Sequence, residues 1–486
     1  MQSVSETPET VAAPDALPSA EALSSARMWV ILIVLLIADM MDLLDATLTN
    51  IAAPSVARDL GGGALLIKWL GSSYALAMGV LLVVGGRLGD KYGQRRIFLI
   101  GMAGFTLASA LCGCGVSPSM IILARLAQGA FGALLIPQGM AIMTSTFSRE
   151  MLVKAFSVFG PAMGVAAVGG PILGGFIINA NVAGLSWRPM FLINIVLGTV
   201  GLFAATRLLP KSTGDGAVAL DALGALCLAG TMLGTMYGLI DGSTNGWQPL
   251  PITSIVAGLV CFALFCMRQR LAPNPLILPS LLANRGFTAG LILGLAFFAT
   301  VSGLSYVLSL YFQLGLGRSA GEAALDLAPS AVGIVIAATL GPKLIPLLGR
   351  LLVFAGLMLT IAGTGWFLAT VVIAGMHASS WTSEPAILVA GLGMGFSFGT
   401  IFSAALSGID QAEAGSASGA LSAVQQLAAC IGAAVITTVF FQTLHAGDYA
   451  RAVGTSLCVA IGIAAASSAL VWLLPARLQA EQGWPS

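Results

Sequence analysis

The sequence predicts an all-α polytopic membrane protein with fourteen transmembrane helices, arranged six, two and six. Three observations carry this. Only 8% of its 486 residues are charged and 57% are hydrophobic, against about 25% charged in an average soluble domain. Apolar runs of the roughly 20 residues needed to cross about 30 Å of hydrocarbon recur along the whole chain. Basic residues alternate between rich and poor connections, as the positive-inside rule describes for multi-pass chains.

In chain order, residues 1–26 hold Glu6, Glu9, Asp15 and Glu21, three prolines and no Lys or Arg. A secretory signal needs a basic start, so a disordered tail is expected, followed by a retained helix. Spans are expected near 28–51, 66–86, 97–116, 119–143, 152–178 and 187–208, which form an N-terminal bundle over 27–210. Two inserted helices near 219–240 and 251–267 occupy 211–286 with their linker. Spans near 287–314, 321–347, 350–374, 384–408, 417–444 and 453–474 form a C-terminal bundle over 287–476, before a short tail at 477–486. Fifteen of the 21 basic residues fall on the terminus side, five on the opposite side, and Arg125 lies within a span. Both termini are therefore expected in the cytoplasm. The longest connection, 268–286, is too short for a soluble catalytic domain, so the chemistry is expected inside the membrane and no enzyme activity is expected.

Net charge is +1, which gives no reason to expect nucleic acid as a partner. His377 and His445 have no Cys or His neighbour at ligand spacing, so neither a metal nor any other cofactor is expected. The seven cysteines lie in apolar runs and are read as small buried hydrophobes.

The first span carries Asp39, Asp42 and Asp45. An ionised Asp at the centre of a span costs roughly 2.5–3.5 kcal/mol, and each Leu, Ile or Val returns about 0.3–0.6. The run VILIVLLI (30–37) therefore offsets only about one and a half charged aspartates, so some must be protonated, paired or water-facing. At about 100° per residue the three share an arc of about 120°, and all could face one cavity. Carboxylates in such a site can exchange a proton or attract a cation. The alternative is that one of them, Asp42 first, only pairs with a polar neighbour such as Arg125 or Gln128. Arg125 itself either faces an anionic partner or snorkels to the interface. Glu322 and Asp326, one turn apart in the tenth span, form a second candidate proton or cation site, with simple hydration in the outer leaflet as the competing reading. Aromatics in or near spans, including Trp69, Tyr74, Tyr237, Tyr306, Tyr311 and Trp366, could offer cation–π surfaces.

GRLGDKYGQRR (86–96) reads as a tight turn after the second span, with Gly86, Asp90, Gly93, Arg95 and Arg96 as gating residues. It has a faint echo in GPKLIPLLGR (341–350). The connection after the twelfth span carries Asp410 and Glu413 without basic residues, so it is expected to pair with Lys91, Arg95 or Arg96. In the fifth span, GPAMGVAAVGGPILGG (160–175) supplies small residues for close helix packing and prolines for kinks.

Together these segments resemble the major facilitator superfamily, and within it the fourteen-span drug:proton antiporters. LDATLTNIAAPS (44–55) resembles the first-span signature LDxTIVNVALP. GRLGDKYGQRR resembles the GxLADrxGrkr loop, RLAQGAFGALLIP (125–137) the RxxQGxGaA motif, and WRPMFLINIVLG (187–198) the segment opening span six. GGPILGG resembles the GPxxGG antiporter motif, with Gly170, Pro171, Gly174 and Gly175. Thr49, Ala53 and Pro189 depart from the pattern without removing an ionisable group. The resemblance implies a major facilitator fold and export by alternating access in a bacterial cytoplasmic membrane, driven by the proton gradient. It places Asp45 in or near the substrate pathway, gives Arg125 a part in proton transfer, and lets the fifth span limit leak. The implied partners are a small-molecule substrate, amphipathic and cationic or else a neutral or anionic endogenous product, with protons and lipid. A monomer is expected.

Overall fold

The computed structural model describes residues 25–181, 184–216, 221–375, 380–406, 409, 413–444 and 448–475. His377, His445 and Asp410 lie outside the described residues. Among the described residues the chain is helical and contains no strand. The N-terminal helices are α1 (Ser25–Leu60), α2 (Gly63–Tyr92), α3 (Gln94–Gly113), α4 (Pro118–Thr146), α5 (Arg149–Ala180) and α6 (Pro189–Leu208). The inserted pair is α7 (Ala222–Asn245) and α8 (Pro249–Leu271), followed by a short α9 (Pro279–Ala283). The C-terminal set is α10 (Arg285–Leu310), α11 (Ala320–Leu348), α12 (Arg350–Ala374), α13 (Ser380–Leu406), α14 (Ala414–Thr443) and α15 (Tyr449–Leu470).

Twelve of these helices are long and apolar enough to cross a membrane. That count covers the described residues only; α1 and α5, at 36 and 32 residues, are also long enough to span. Helix starts follow local polar chemistry: Ser117, Ser148, Asn284 and Asp448 each accept a hydrogen bond from the backbone N–H three residues on. Such caps satisfy donors that a helix end leaves free. Gly93 (φ 95°) joins α2 to α3, and Gly349 (φ 51°) joins α11 to α12. Each is a one-residue reversal in backbone space that L side chains rarely enter. Each of the two sequence segments that echo each other thus contains a one-residue glycine link between helices.

The helices bury their apolar faces in two bundles. Ile31, Leu35, Phe98, Met102 and Met143 form part of the core on one side, and Leu304, Val307, Tyr311, Phe367 and Phe440 on the other. The bundles meet along α2 against α14 and α5 against α11. Helix α7 packs on both α2 and α14, where Met232 and Met236 join Leu82, Val83 and Ala423 in one apolar cluster. Arg268 at the end of α8 binds both carboxylate oxygens of Asp221 at the start of α7, at 3.0 and 3.1 Å. The outer side of α8 presents Leu250, Val256, Leu259, Phe262 and Met267, an apolar face suited to lipid. The cysteine expectation is corrected on the same ground: Cys112 is buried in protein, but Cys114, Cys266 and Cys458 are exposed. An apolar run in a membrane helix hides from water on its lipid side as well as its core side.

Candidate functional site

Five helices of the N-terminal bundle converge on one buried polar cluster. Asp45 of α1 forms an ion pair with Arg125 of α4, and both side chains are 1% exposed. Asp45 Oδ1 accepts from Gln128 Nε2 (α4) and Asn194 Nδ2 (α6), each at 2.7 Å. Ser109 Oγ (α3) accepts from the same two amides, at 2.7 and 3.3 Å. Arg125 Nε donates to the Leu70 carbonyl of α2 at 3.0 Å, and Nη1 also donates to Gln128 Oε1 at 2.6 Å. The guanidinium lies 4.4 Å from the Tyr74 ring centroid and 6.0 Å from that of Phe191. A desolvated cation over an aromatic face gains about 2 kcal/mol. A buried ion pair offsets its desolvation only when the remaining hydrogen-bonding positions are filled, and here both Asp45 oxygens are engaged.

The two neighbouring carboxylates differ from Asp45 step by step. Asp42 is half-buried and accepts a hydrogen bond from the Tyr74 hydroxyl of α2. Asp39 is half-buried and makes no hydrogen bond or ion pair among the described residues; it lies beside Gly139 of α4. Two glycines of α4 make room for this arrangement: Gly129 abuts the Tyr74 carbonyl and Gly132 the Tyr74 hydroxyl. On the other side of α1, Gly170 of α5 admits Thr47 and Leu44. Gly174 is buried, and α5 continues as helix through positions 171 and 175. The contacts with Arg125 and Gln128 considered for Asp42 are made by Asp45, while Asp42 pairs with another polar neighbour, Tyr74. Arg125 has an anionic partner and does not snorkel.

On the face carrying the ends of the described chain, α2 meets α14 through backbone. Gly86 touches the Gly415 carbonyl and Asp90 faces Gly415 in the first turn of α14, while Ser418 Oγ of α14 donates to the Pro137 carbonyl of α4 at 3.4 Å. Arg87 lies 4.0 Å from Asp90, and both are buried. The expected pairing of Glu413 with Lys91, Arg95 or Arg96 is not formed. Glu413 accepts from Ser280 Oγ at 2.6 Å, while Arg95 donates to the Thr206 carbonyl at 2.5 Å. The reason is the glycines: with Gly86 and Gly415 in contact, the negative Asp90 sits at the positive end of α14, where a helix dipole favours an anion.

At the opposite face, Trp187 and Arg188 at the start of α6 donate to Asp59 Oδ2 at the end of α1, at 3.0 and 2.9 Å. In the C-terminal bundle Glu322 caps α11. It exchanges hydrogen bonds with Ser319 in a capping box and is exposed. Asp326 lies 3.5 Å from Arg318, with its side chain 14% exposed. Glu322 and Asp326 thus lie in the first two turns of α11, with Arg318 just before the helix start. Of the aromatics, Tyr74 and Tyr311 are buried, Trp69 and Tyr237 pair at 6.0 Å, and Tyr306 and Trp366 are exposed.

Sequence reasoning did not single out Ser109, Asn194 or the part played by Tyr74. The available signal was an amide or hydroxyl inside an apolar run, since such groups in a membrane must find partners. Asn194 and Gln128 stand within two of the quoted motifs.

Comparison with known proteins gives the family. Residues 35–433 match the family model of the Major Facilitator Superfamily. The chain is 42% identical over 424 residues to a "Probable actinorhodin transporter" of Streptomyces coelicolor, covering 86% of this chain and 73% of that protein. It is 31% identical over 468 residues to the puromycin resistance protein pur8 of Streptomyces alboniger, covering 92% and 91%. Among solved structures, the proton:xylose symporter XylE superposes with a TM-score of 0.67 at 13% identity, over 93% of this chain and 96% of that one. That last likeness is one of fold alone.

Proposed function

Because the chain belongs to the Major Facilitator Superfamily, we propose that it is a drug and antibiotic exporter of a bacterial cell membrane that works by exchanging protons for an amphipathic cation. The observation that carries this reading is the graded engagement of three carboxylates on one helix. Asp45 is held by a cation and two amides, Asp42 by one neutral hydroxyl, and Asp39 by nothing among the described residues. An exchanging site needs a carboxylate that can lose its protein partner, and Asp45 is the least able to. Asp39 and Asp42 therefore exchange proton and substrate, and the Asp45–Arg125 pair anchors the bundle around them. Helices α1 and α5 complete a count of fourteen spans, with both termini cytoplasmic. The Gly86–Asp90–Gly415 contact then closes the cytoplasmic side. A single chain working without metal or organic cofactor suffices for this cycle.

The test is dye efflux in a drug-sensitive host with and without a protonophore. Efflux of a cationic dye that stops when the gradient collapses supports the reading, and gradient-independent efflux removes the proton from it. A second reading, export of a neutral or anionic natural product, is favoured by relatives whose names concern antibiotics, such as the tetracenomycin C resistance and export protein of Streptomyces glaucescens. Resistance to one such compound without any dye efflux would select it.

A further inference from the structure

We propose that Tyr74 is a positioning residue that ties the charge state of Asp42 to the Arg125–Asp45 anchor, its hydroxyl held by the first and its ring covering the second. The inference rests on the reading of Asp42 as an exchanging carboxylate. Tyr74 is 5% exposed and is the only side chain that bonds to Asp42 among the described residues while also contacting Arg125. It is fixed from three sides. Phe105 meets its ring edge-on at 6.4 Å, Gly129 touches its carbonyl, and Gly132 leaves room for its hydroxyl, where a Cβ would come within 3.0 Å.

A protonated Asp42 is a weaker acceptor than a carboxylate, so protonation or an arriving cation releases the hydroxyl. The ring then loses one of the contacts that keep it over the guanidinium. Arg125 also holds the Leu70 carbonyl, one turn before Tyr74 on α2, so α2 is gripped at two successive points by one arginine. The same helix ends in the Gly86 and Asp90 contact with α14. A change at Asp42 thus has a continuous mechanical route along α2 to the seam between the bundles. The charged or titratable groups around Asp42 are Asp39 and Asp45 on α1, Tyr74 on α2 and Arg125 on α4. Helix α5 carries Lys154 in its second turn, and α6 carries Arg207 in its last turn with Arg188 just before its first.

The test is infrared titration of the full-length protein in lipid nanodiscs, following the C=O stretch of protonated carboxyls against pH with no substrate present. Wild type is expected to show a titrating band that Asp42→Asn removes. Tyr74→Phe keeps the ring over Arg125 and is expected to move the midpoint of that band upward by about one pH unit, from loss of one hydrogen bond to a charged acceptor. An unmoved midpoint, or no band lost in Asp42→Asn, overturns the proposal. Tyr74→Leu also removes the ring and is expected to melt below Tyr74→Phe; equal melting temperatures overturn the link to Arg125. Cargo plays no part in these measurements. The exchange reading itself is tested separately by proton-driven uptake of tetraphenylphosphonium into inverted vesicles.

Discussion

The two bundles solve the problem of buried polarity in different ways. Among the described residues, the buried charged and amide side chains are Asp45, Arg87, Arg125, Gln128, Gln138, Asn194 and Asp221, all before the middle of the chain. The buried polar residues of α10 to α15 are serines and threonines. Most of these satisfy themselves: Thr300, Thr360, Thr364, Thr400, Thr437 and Ser456 each donate to the carbonyl four residues back on their own helix. A hydroxyl that bonds its own helix places no demand on its neighbours. An amide or an ion does, because its partner must come from another helix. Among the described residues the buried ions and amides thus lie outside α10 to α15, whose carboxylates Glu322 and Asp326 sit in the first two turns of α11.

The sharpest way to break this comparison is to remove one ion of the anchor. Arg125→Ala leaves Asp45 buried without its cation, which costs about 3–5 kcal/mol in comparable sites. We expect loss of transport together with a strongly lowered melting temperature in detergent. Asp45→Asn is expected to abolish resistance through the same loss, and Asp45→Asn with Arg125→Gln to recover part of the stability. If Arg125→Ala melted like wild type, the anchor would have no structural part.

Next in size is the close approach of α2 and α4. A methyl group on Gly129 would collide with the Tyr74 carbonyl, and overpacking of this kind costs typically about 1–3 kcal/mol. Gly129→Ala is expected to lower both melting temperature and transport, and normal values of both would show that the helices have slack there.

Much of this was legible in sequence, and what was not has a physical cause. Apolar run lengths fix where helices form, and the described helices fall on the expected runs, with α1 continuing past its run to Leu60 so that Asp59 meets Trp187. The spacing of Asp39, Asp42 and Asp45 gives a shared face on one helix. Nothing in that spacing says which carboxylate an arginine on another helix will reach, and the pairing fell on Asp45. Charge complementarity suggested a salt bridge to Glu413, but glycines let backbones touch where side chains were expected to bridge. Glu322 is a readable case that the carboxylate count obscured: Ser319 followed three residues later by Glu is the sequence sign of a capping box.

The smallest effects belong to the C-terminal bundle. Glu322→Gln keeps an acceptor for the Ser319 N–H and should leave proton-coupled transport near wild type; abolished coupling would move ionic chemistry into this bundle and end the contrast. Thr360→Val removes a hydroxyl that bonds only within α12, so melting temperature and transport should both stay close to wild type. A large loss would mean that this hydroxyl serves a neighbouring helix or a substrate.

The most direct measurement is the number of protons released when tetraphenylphosphonium binds the purified protein in weak buffer. Wild type is expected to release protons, Asp39→Asn and Asp42→Asn to release fewer, and Asp326→Asn to release as many as wild type. Undiminished release in both first-helix variants, with loss in Asp326→Asn, would contradict the placing of proton exchange in the N-terminal bundle.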